Sequence, residues 1–186
     1  MNIHAPAVKT VDDFLDWAGT QDGRFEFVRG RIVELVRVSR NHARLASKLL
    51  MTLGNRLDLD RYDVGAAEFA VRTRSGVRFP DVFVDRVNAN TAGQDLIARE
   101  LVLAAEILSP SSRTTDLGEK AQEYTEIRTL LHYLVLSQDE PRVWLWSRGD
   151  DGTFGKPEMI TGADEVLDLS GFEISIPLAE LYRGIA

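Results

Sequence analysis

Three residues carry the chemistry this sequence suggests: Asp81, Glu106 and Lys120. Asp81 follows Pro80 in the short apolar segment Phe79–Asp85, FPDVFVD. Glu106 lies near the end of Leu101–Leu108, LVLAAEIL, a continuous apolar run of the kind expected for a strand buried on both faces. If those two strands are neighbours, both carboxylates point to one spot. Two carboxylates with a strand-end carbonyl suit a hard, oxygen-seeking cation such as Mg2+ or Mn2+. Such a cation holds a phosphate, lowers the pKa of a water and stabilises charge on a leaving oxygen, which is the chemistry of phosphodiester hydrolysis. An ionised glutamate inside an apolar strand is costly unless a cation pairs with it. Lys120 is one of only four lysines beside eighteen arginines. Its role would be to position or activate the attacking water, or to stabilise charge developing on phosphorus.

Each of these residues has a plainer explanation when read singly. Asp81 resembles many loop aspartates at strand starts, Glu106 could reach solvent from a strand end, and Lys120 could form a surface pair with Asp116 four residues earlier. Glu26 lies on the polar face of a short hairpin strand, opposite Phe25 and Phe27, with Arg24 or Arg31 as ordinary pairing partners. His42 sits in the first turn of a helix, where histidines more often cap or face solvent. Of the other histidines, His4 belongs to a flexible tail over residues 1–9 and His132 opens a strand, so a three-histidine zinc site is not expected.

The formal net charge of −7 and the isoelectric point near 5.0 argue against a nucleic-acid binder when taken alone. The distribution says more. From Arg24 to Lys48 there are seven basic residues and two acidic ones, whereas Gln138 to Ala186 holds ten acidic and four basic. Arg40, Arg44 and Lys48 are therefore candidate nucleic-acid contacts, against an equally plain reading as a solvated face with chance clustering. The absence of cysteine excludes disulfides, thiolate metal sites and cysteine nucleophiles. No apolar run is long enough for a membrane span, the N-terminus lacks a secretory core, and no phosphate-binding loop of the Walker or Rossmann kind occurs. A cytoplasmic protein with no small organic cofactor is expected.

The elements that must position these groups can be read from periodicity. Val11, Phe14, Leu15 and Ala18 share one helical face, with Thr10 as N-cap. Arg24–Val28 and Arg31–Val38 read as a hairpin turning at Arg29-Gly30. Asn41–Leu57 reads as a helix capped by Asn41 or Ser39, with Leu45, Leu49, Leu53 and Leu57 at every fourth position. Val64–Arg74 reads as a strand and Asp116–Leu130 as a second helix. His132–Ser137, Arg142–Ser147 and Ser170–Pro177 read as strands and Leu178–Tyr182 as a short helix. This order predicts a single domain over residues 1–186, of α/β (α+β) class. A central mixed β-sheet would be flanked by helices and preceded by an N-terminal helix and hairpin.

Several of these strings resemble a known family. They are Pro80-Asp81, the run Leu101–Pro110 (LVLAAEILSP), and Asp116-Leu117-Gly118-Glu119-Lys120 followed by Tyr124. To these add the hairpin Phe25-Glu26-Phe27-Val28-Arg29-Gly30 and the segment Ser39-Arg40-Asn41-His42. In this order they resemble the Uma-two family of restriction endonucleases, within the PD-(D/E)XK nuclease superfamily, over roughly Val11 to Tyr182. The resemblance implies a restriction-endonuclease-like core with a metal pair at Asp81 and Glu106 and a catalytic lysine at Lys120. It also implies an accessory acid at Glu26, with His42 and Tyr124 shaping the site. The usual lysine position, two residues after the second acid, is Leu108 here, so the lysine would have migrated to the following helix. The segment Ile127–Tyr133, IRTLLHY, also departs from the family's usual "G-V-x-E-Y-W".

The resulting expectation is an Mg-dependent endonuclease acting on DNA, for which a homodimer would be compatible with cutting both strands. The alternative is a weakly active or inactive nuclease-like fold serving as a nucleic-acid or protein binding module. A third reading leaves the charges merely solvating an α/β domain, with Asp81, Glu106 and Lys120 far apart.

Overall fold

The computed structural model describes residues 8–35, 37–109 and 112–185. Most of the expected N-terminal tail, including His4, lies outside these residues, as do Pro110 and Ser111.

The chain opens with helix α1, Val11–Ala18, fixed by a reciprocal capping box between Thr10 and Asp13. Phe14 and Trp17 point from α1 onto Phe25 and Phe27, the two aromatic residues on one face of β1, Phe25–Val28. Strand β1 turns back into β2, Arg31–Glu34, through Arg29 and Gly30, both with positive φ. That pair of left-handed residues matches the twist of the flanking strands, as in a type I′ hairpin. The returning strand ends at Glu34, short of the expected Val38.

Helix α2 runs Arg40–Arg56 and is capped by Ser39, whose Oγ accepts from the His42 backbone N–H at 3.1 Å. The expected strand Val64–Arg74 divides in two. Strand β3, Tyr62–Gly65, joins the large sheet and β4, Val71–Thr73, the small one, with the chain crossing between sheets through residues 66–70. Strand β5, Gly76–Arg78, completes a four-stranded sheet in the order β2-β1-β5-β4. Gly76 is required here: its φ is +152°, and a Cβ would fall 1.9 Å from the Phe27 carbonyl oxygen. This close approach sets the register that brings Arg78 beside Glu26.

The second sheet has six strands. They are β6 (Val82–Arg86), β7 (Leu101–Leu108), β8 (His132–Ser137), β9 (Arg142–Ser147) and β10 (Glu158–Thr161), with β3 at the edge. The order is β10-β9-β8-β7-β6-β3; β7 and β8 pair in parallel and the other neighbours antiparallel, so the sheet is mixed. Every residue of β7 is buried, as its uninterrupted apolar sequence requires. One face packs Leu103, Ala105 and Ile107 against Leu45, Leu49 and Leu53 of α2. The hairpin β11 (Val166–Leu169) and β12 (Ile174–Pro177) and helix α4, Leu178–Tyr182, cover the same face. The last expected strand thus begins at Ile174 rather than Ser170, because Gly171 and Glu173 adopt positive φ in the turn before it.

The other face of β7 packs Ala104 and Leu108 against Ala121 and Tyr124. These two belong to α3, Ala121–Thr125, which continues a π-helical segment, Thr115–Lys120. The expected helix to Leu130 therefore ends five residues early. Thr125 Oγ bonds back to the Ala121 and Gln122 carbonyls, and Arg148 takes up those of Ile127 and Leu130. Among the described residues, no helix is long and apolar enough to cross a membrane.

Candidate active site

Strand pairing brings the two central acids together. Val82 of β6 pairs with Ala105 of β7, so Asp81, one residue earlier on an antiparallel strand, stands beside Glu106 and Ile107. The Ile107 backbone N–H donates to Asp81 Oδ2 at 2.7 Å. The other oxygen, Oδ1, lies 3.1 Å from His42 Nε2 in the first turn of α2. A backbone group and an imidazole thus fix the rotation of this carboxylate.

Glu106 leaves β7 on the opposite side from Ile107, toward the π-segment and α3. Its Oε1 accepts from the Tyr124 hydroxyl at 3.1 Å, and its Oε2 lies 3.0 Å from Lys120 Nζ. Lys120 is also 3.3 Å from Asp116 Oδ1 and 3.7 Å from Glu26 Oε1. The expected i,i+4 pair of Lys120 with Asp116 therefore exists, but it is buried, with exposures of only 8% and 2%. π-Turns are rare and occur often at functional sites; this one carries both residues inward.

Glu26 does not pair with Arg24 or Arg31. Its Oε2 accepts from Arg78 Nη1 at 2.9 Å, and its Oε1 accepts from the Phe79 backbone N–H. The remaining guanidinium nitrogens of Arg78 grip Glu123 in a fork, Nε to Oε2 at 2.8 Å and Nη2 to Oε1 at 3.0 Å. The face of β1 opposite its two phenylalanines is thus a second interior, filled with charge. Arg78, Glu123 and Asp116 were not singled out as site partners from sequence. A signal for Arg78 exists: an arginine in the apolar run GVRFPDVFV is as anomalous as Glu106 in LVLAAEIL.

Arg78 and Lys120 face Glu26, Glu106, Asp116 and Glu123, so buried carboxylates outnumber buried cations even before Asp81 is included. Burial, and then the charges of Asp81, Asp116 and Glu26, push the Glu106 carboxyl well above the usual range, against the pull of Lys120. Burial likewise raises Asp116, partly offset by Lys120. Burial disfavours the Lys120 ammonium, but Glu106, Glu26 and Asp116 outweigh it and raise its pKa above that of free lysine. Burial and the adjacent Glu106 charge push the Tyr124 hydroxyl well up, so it stays a donor.

Glu26, His42, Asp81, Glu106 and Lys120 line one cavity of about 300 Å3, together with Arg24 and Arg37. Tyr124 stands behind Glu106 rather than in the lining. Arg40, Arg44 and Lys48 do not reach this cavity; they line a separate groove on α2. Asp81 and Glu106 supply oxygen donors only, and each carboxylate has more lone-pair positions than its present hydrogen bonds use. That donor set fits Mg2+, which is commonly held by one or two carboxylates while keeping several waters. Among the described residues, no three histidine or carboxylate side chains form a metal-binding group, so a larger all-protein cage is not built here.

Comparison with known proteins matches the same chain throughout. A curated relative, the uncharacterized protein slr1290 of Synechocystis sp., is 25% identical over 194 aligned residues, covering all of both chains. A crystal structure of a "putative nuclease belonging to DUF820" from Anabaena variabilis superposes with a TM-score of 0.76 at 15% identity. It covers 95% of this chain and 99% of that one, and shares its fold. Residues 11–179 match the model of the Uma2 family, described as "Putative restriction endonuclease". The match spans most of the chain and takes in Asp81, Glu106 and Lys120: this protein belongs to the Uma2 family.

Proposed function

We propose that this protein is a metal-dependent endonuclease hydrolysing phosphodiester bonds in DNA, with Asp81, Glu106 and Lys120 as its catalytic residues and Glu26 as accessory acid. The observation that carries this reading is the contact of Lys120 Nζ with Glu106 Oε2 at 3.0 Å in a cavity that Asp81 also lines. Family membership and the fold shared with the Anabaena protein support it. Asp81 and Glu106 would hold Mg2+ or Mn2+, which would polarise the phosphate and lower the pKa of a bound water.

The protein's own groups divide the remaining work. Lys120 keeps its proton, because the surrounding carboxylates raise its pKa. It therefore acts as a hydrogen-bond donor and a fixed positive charge beside the reacting phosphorus rather than as the base. Glu26, held by Arg78, keeps the ammonium from swinging wholly onto Glu106. Tyr124 fixes the Glu106 carboxylate, and His42 fixes that of Asp81. Arg24 and Arg37 reach the cavity mouth, where an incoming phosphate would meet them.

The test is nicking of supercoiled DNA by purified protein with Mg2+ or Mn2+, and again with chelator. Asp81→Ala and Lys120→Met are expected to abolish nicking while near-native circular dichroism is kept. Metal-independent cutting, or cutting that survives both substitutions, would overturn the proposal.

A further inference from the structure

A second charged surface lies next to the cavity and is not part of it. Helix α2 carries Arg40, Arg44, Lys48 and Arg56 over its length and no carboxylate at all. Its first turn lacks the acidic residues that normally complement a helix N-terminus. Its buried positions, His42, Leu45, Leu49 and Leu53, turn inward. Arg40, Arg44 and Lys48 recur at every fourth residue on the other side and line a groove of about 550 Å3. The far wall is Arg183, just past α4, so among the described residues the groove is lined by four basic side chains and no acidic one. In a chain of net charge −7, this is a concentration of like charge that folding by itself disfavours.

The groove is also built rather than frayed. Arg44 Nη1 donates to the Gly184 carbonyl at 3.2 Å, and Lys48 Nζ donates to that of Arg183. These bonds tie the segment after α4 to α2 and hold Arg183 against the basic row. Continuity with the cavity comes through the chain: Arg37, Ser39 and His42 line the cavity, and Arg40 opens the groove. From Arg40 to Lys48 the helix rises about 12 Å, so the three basic residues follow one another at about 6 Å, close to the separation of successive phosphates along one strand.

We infer that this groove is a track for the sugar–phosphate backbone of DNA on one side of the scissile bond, with Arg40, Arg44, Lys48 and Arg183 each meeting a phosphate. The inference rests on the nuclease reading of the neighbouring cavity. It assigns to the groove grip and register without sequence information, since phosphate contacts position a duplex while base contacts specify it.

The experiment is the salt dependence of binding, read by fluorescence anisotropy on a labelled duplex long enough to span cavity and groove. Chelator is present, so neither metal nor hydrolysis enters. Each phosphate contact contributes about 0.9 to the slope of log K against log salt. The quadruple variant R40Q/R44Q/K48Q/R183Q is expected to lower the slope by roughly 3 to 4 and to weaken binding at least about 10-fold at low salt. Because Arg44 and Lys48 also hold backbone carbonyls, the variant R40Q/R183Q leaves those ties intact and should lower the slope by about 2. Variants that bind with the wild-type slope, or a wild-type protein with no salt-dependent binding, would overturn the track. Loss of the track would leave metal-dependent nicking at Asp81 and Glu106 as a separate result, so the two readings fail independently.

Discussion

Lys120 Nζ lies 3.0 Å from Glu106 Oε2 although one residue comes from a π-helical segment and the other from β7, an interior strand of the large sheet. The lysine reaches the acid across a fold contact, not along a strand. Tyr124, one helical turn later, secures the other oxygen of the same carboxylate.

Removing that lysine should therefore cost stability as well as activity. Lys120→Met leaves Glu106 and Asp116 buried without their cation, and breaking a buried ion pair from one side typically costs about 3–5 kcal/mol. Lys120 has a raised pKa in the folded state, so its contribution is complete below the free-lysine value and fades only as pH rises through the folded one. The deficit should thus be full at neutral pH and shrink in acid, where the carboxylates take up protons. Urea unfolding of both proteins across pH would show this; an equal deficit at acid and neutral pH would refute it.

Glu106 predicts a link between cation binding and pH. Its pKa is raised by burial and by neighbouring carboxylates, so its share of stability is complete below about 4.5 and is lost as pH rises through the folded value. On the proposed metal reading, a divalent cation held by Glu106 would offset that loss by pairing with the ionised form, and its binding would be linked to proton release. The rise in Tm given by Mg2+ should increase with pH from mildly acidic conditions upward, and Glu106→Gln should remove the increase. A rise that is constant across pH would count against Glu106 as a ligand.

The uneven legibility of this fold has a physical basis. Strand β7 and helix α2 were readable because a fully buried strand and an amphipathic helix each leave a periodic trace. Glu106 was readable because it broke that trace. The break between Gly65 and Val71 left no such mark, since a chain passing from one sheet to another keeps its apolar residues in both. Arg78 and Glu123 were missed for a related reason. Glu123 looks like surface charge until the two sheets and α3 close over it, and although Arg78 stands out in its apolar run, its partners are set by contacts between residues far apart in sequence.

Arg78 should behave as a keystone of the charged interior. It spends three donors on Glu123 and Glu26, and a lysine has neither the fork nor the reach to replace them. Arg78→Met is expected to destabilise by about 3–5 kcal/mol, and Arg78→Lys by somewhat less. Arg78→Met combined with Glu123→Gln should cost less than the sum of the single changes, because the second removes a carboxylate that the first has stranded. Strict additivity in a double-mutant cycle would rule out direct coupling.

His132 supplies a pH effect away from the site. Burial lowers its pKa from 6.5 to about 4, and its Nδ1 lies 3.0 Å from Ser147 Oγ. A histidine held neutral contributes stability that is complete above 6.5 and is lost as pH falls toward 4, on the order of 3 kcal/mol in all. His132→Asn should flatten the stability curve over that window relative to wild type. Parallel curves for the two proteins would show that this residue is not responsible.

His42 should govern how well Asp81 holds a cation. Its backbone N–H is satisfied by Ser39, and its ring meets Asp81 through Nε2 while Nδ1 is buried with no hydrogen-bond partner among the described residues. A ring that donates from Nε2 places the unpaired lone pair on Nδ1 and leaves the carboxylate aligned between the imidazole and the Ile107 N–H. His42→Ala keeps the Ile107 contact but frees Oδ1, so Asp81 can rotate away from Glu106. Loss of such a supporting hydrogen bond typically lowers metal affinity about 10- to 100-fold. His42→Gln, whose amide can donate toward Asp81, should recover part of it. Calorimetric titration with Mn2+ separates orientation from folding when set beside thermal melts without metal. Wild-type affinity in His42→Ala would show that the imidazole does not orient Asp81.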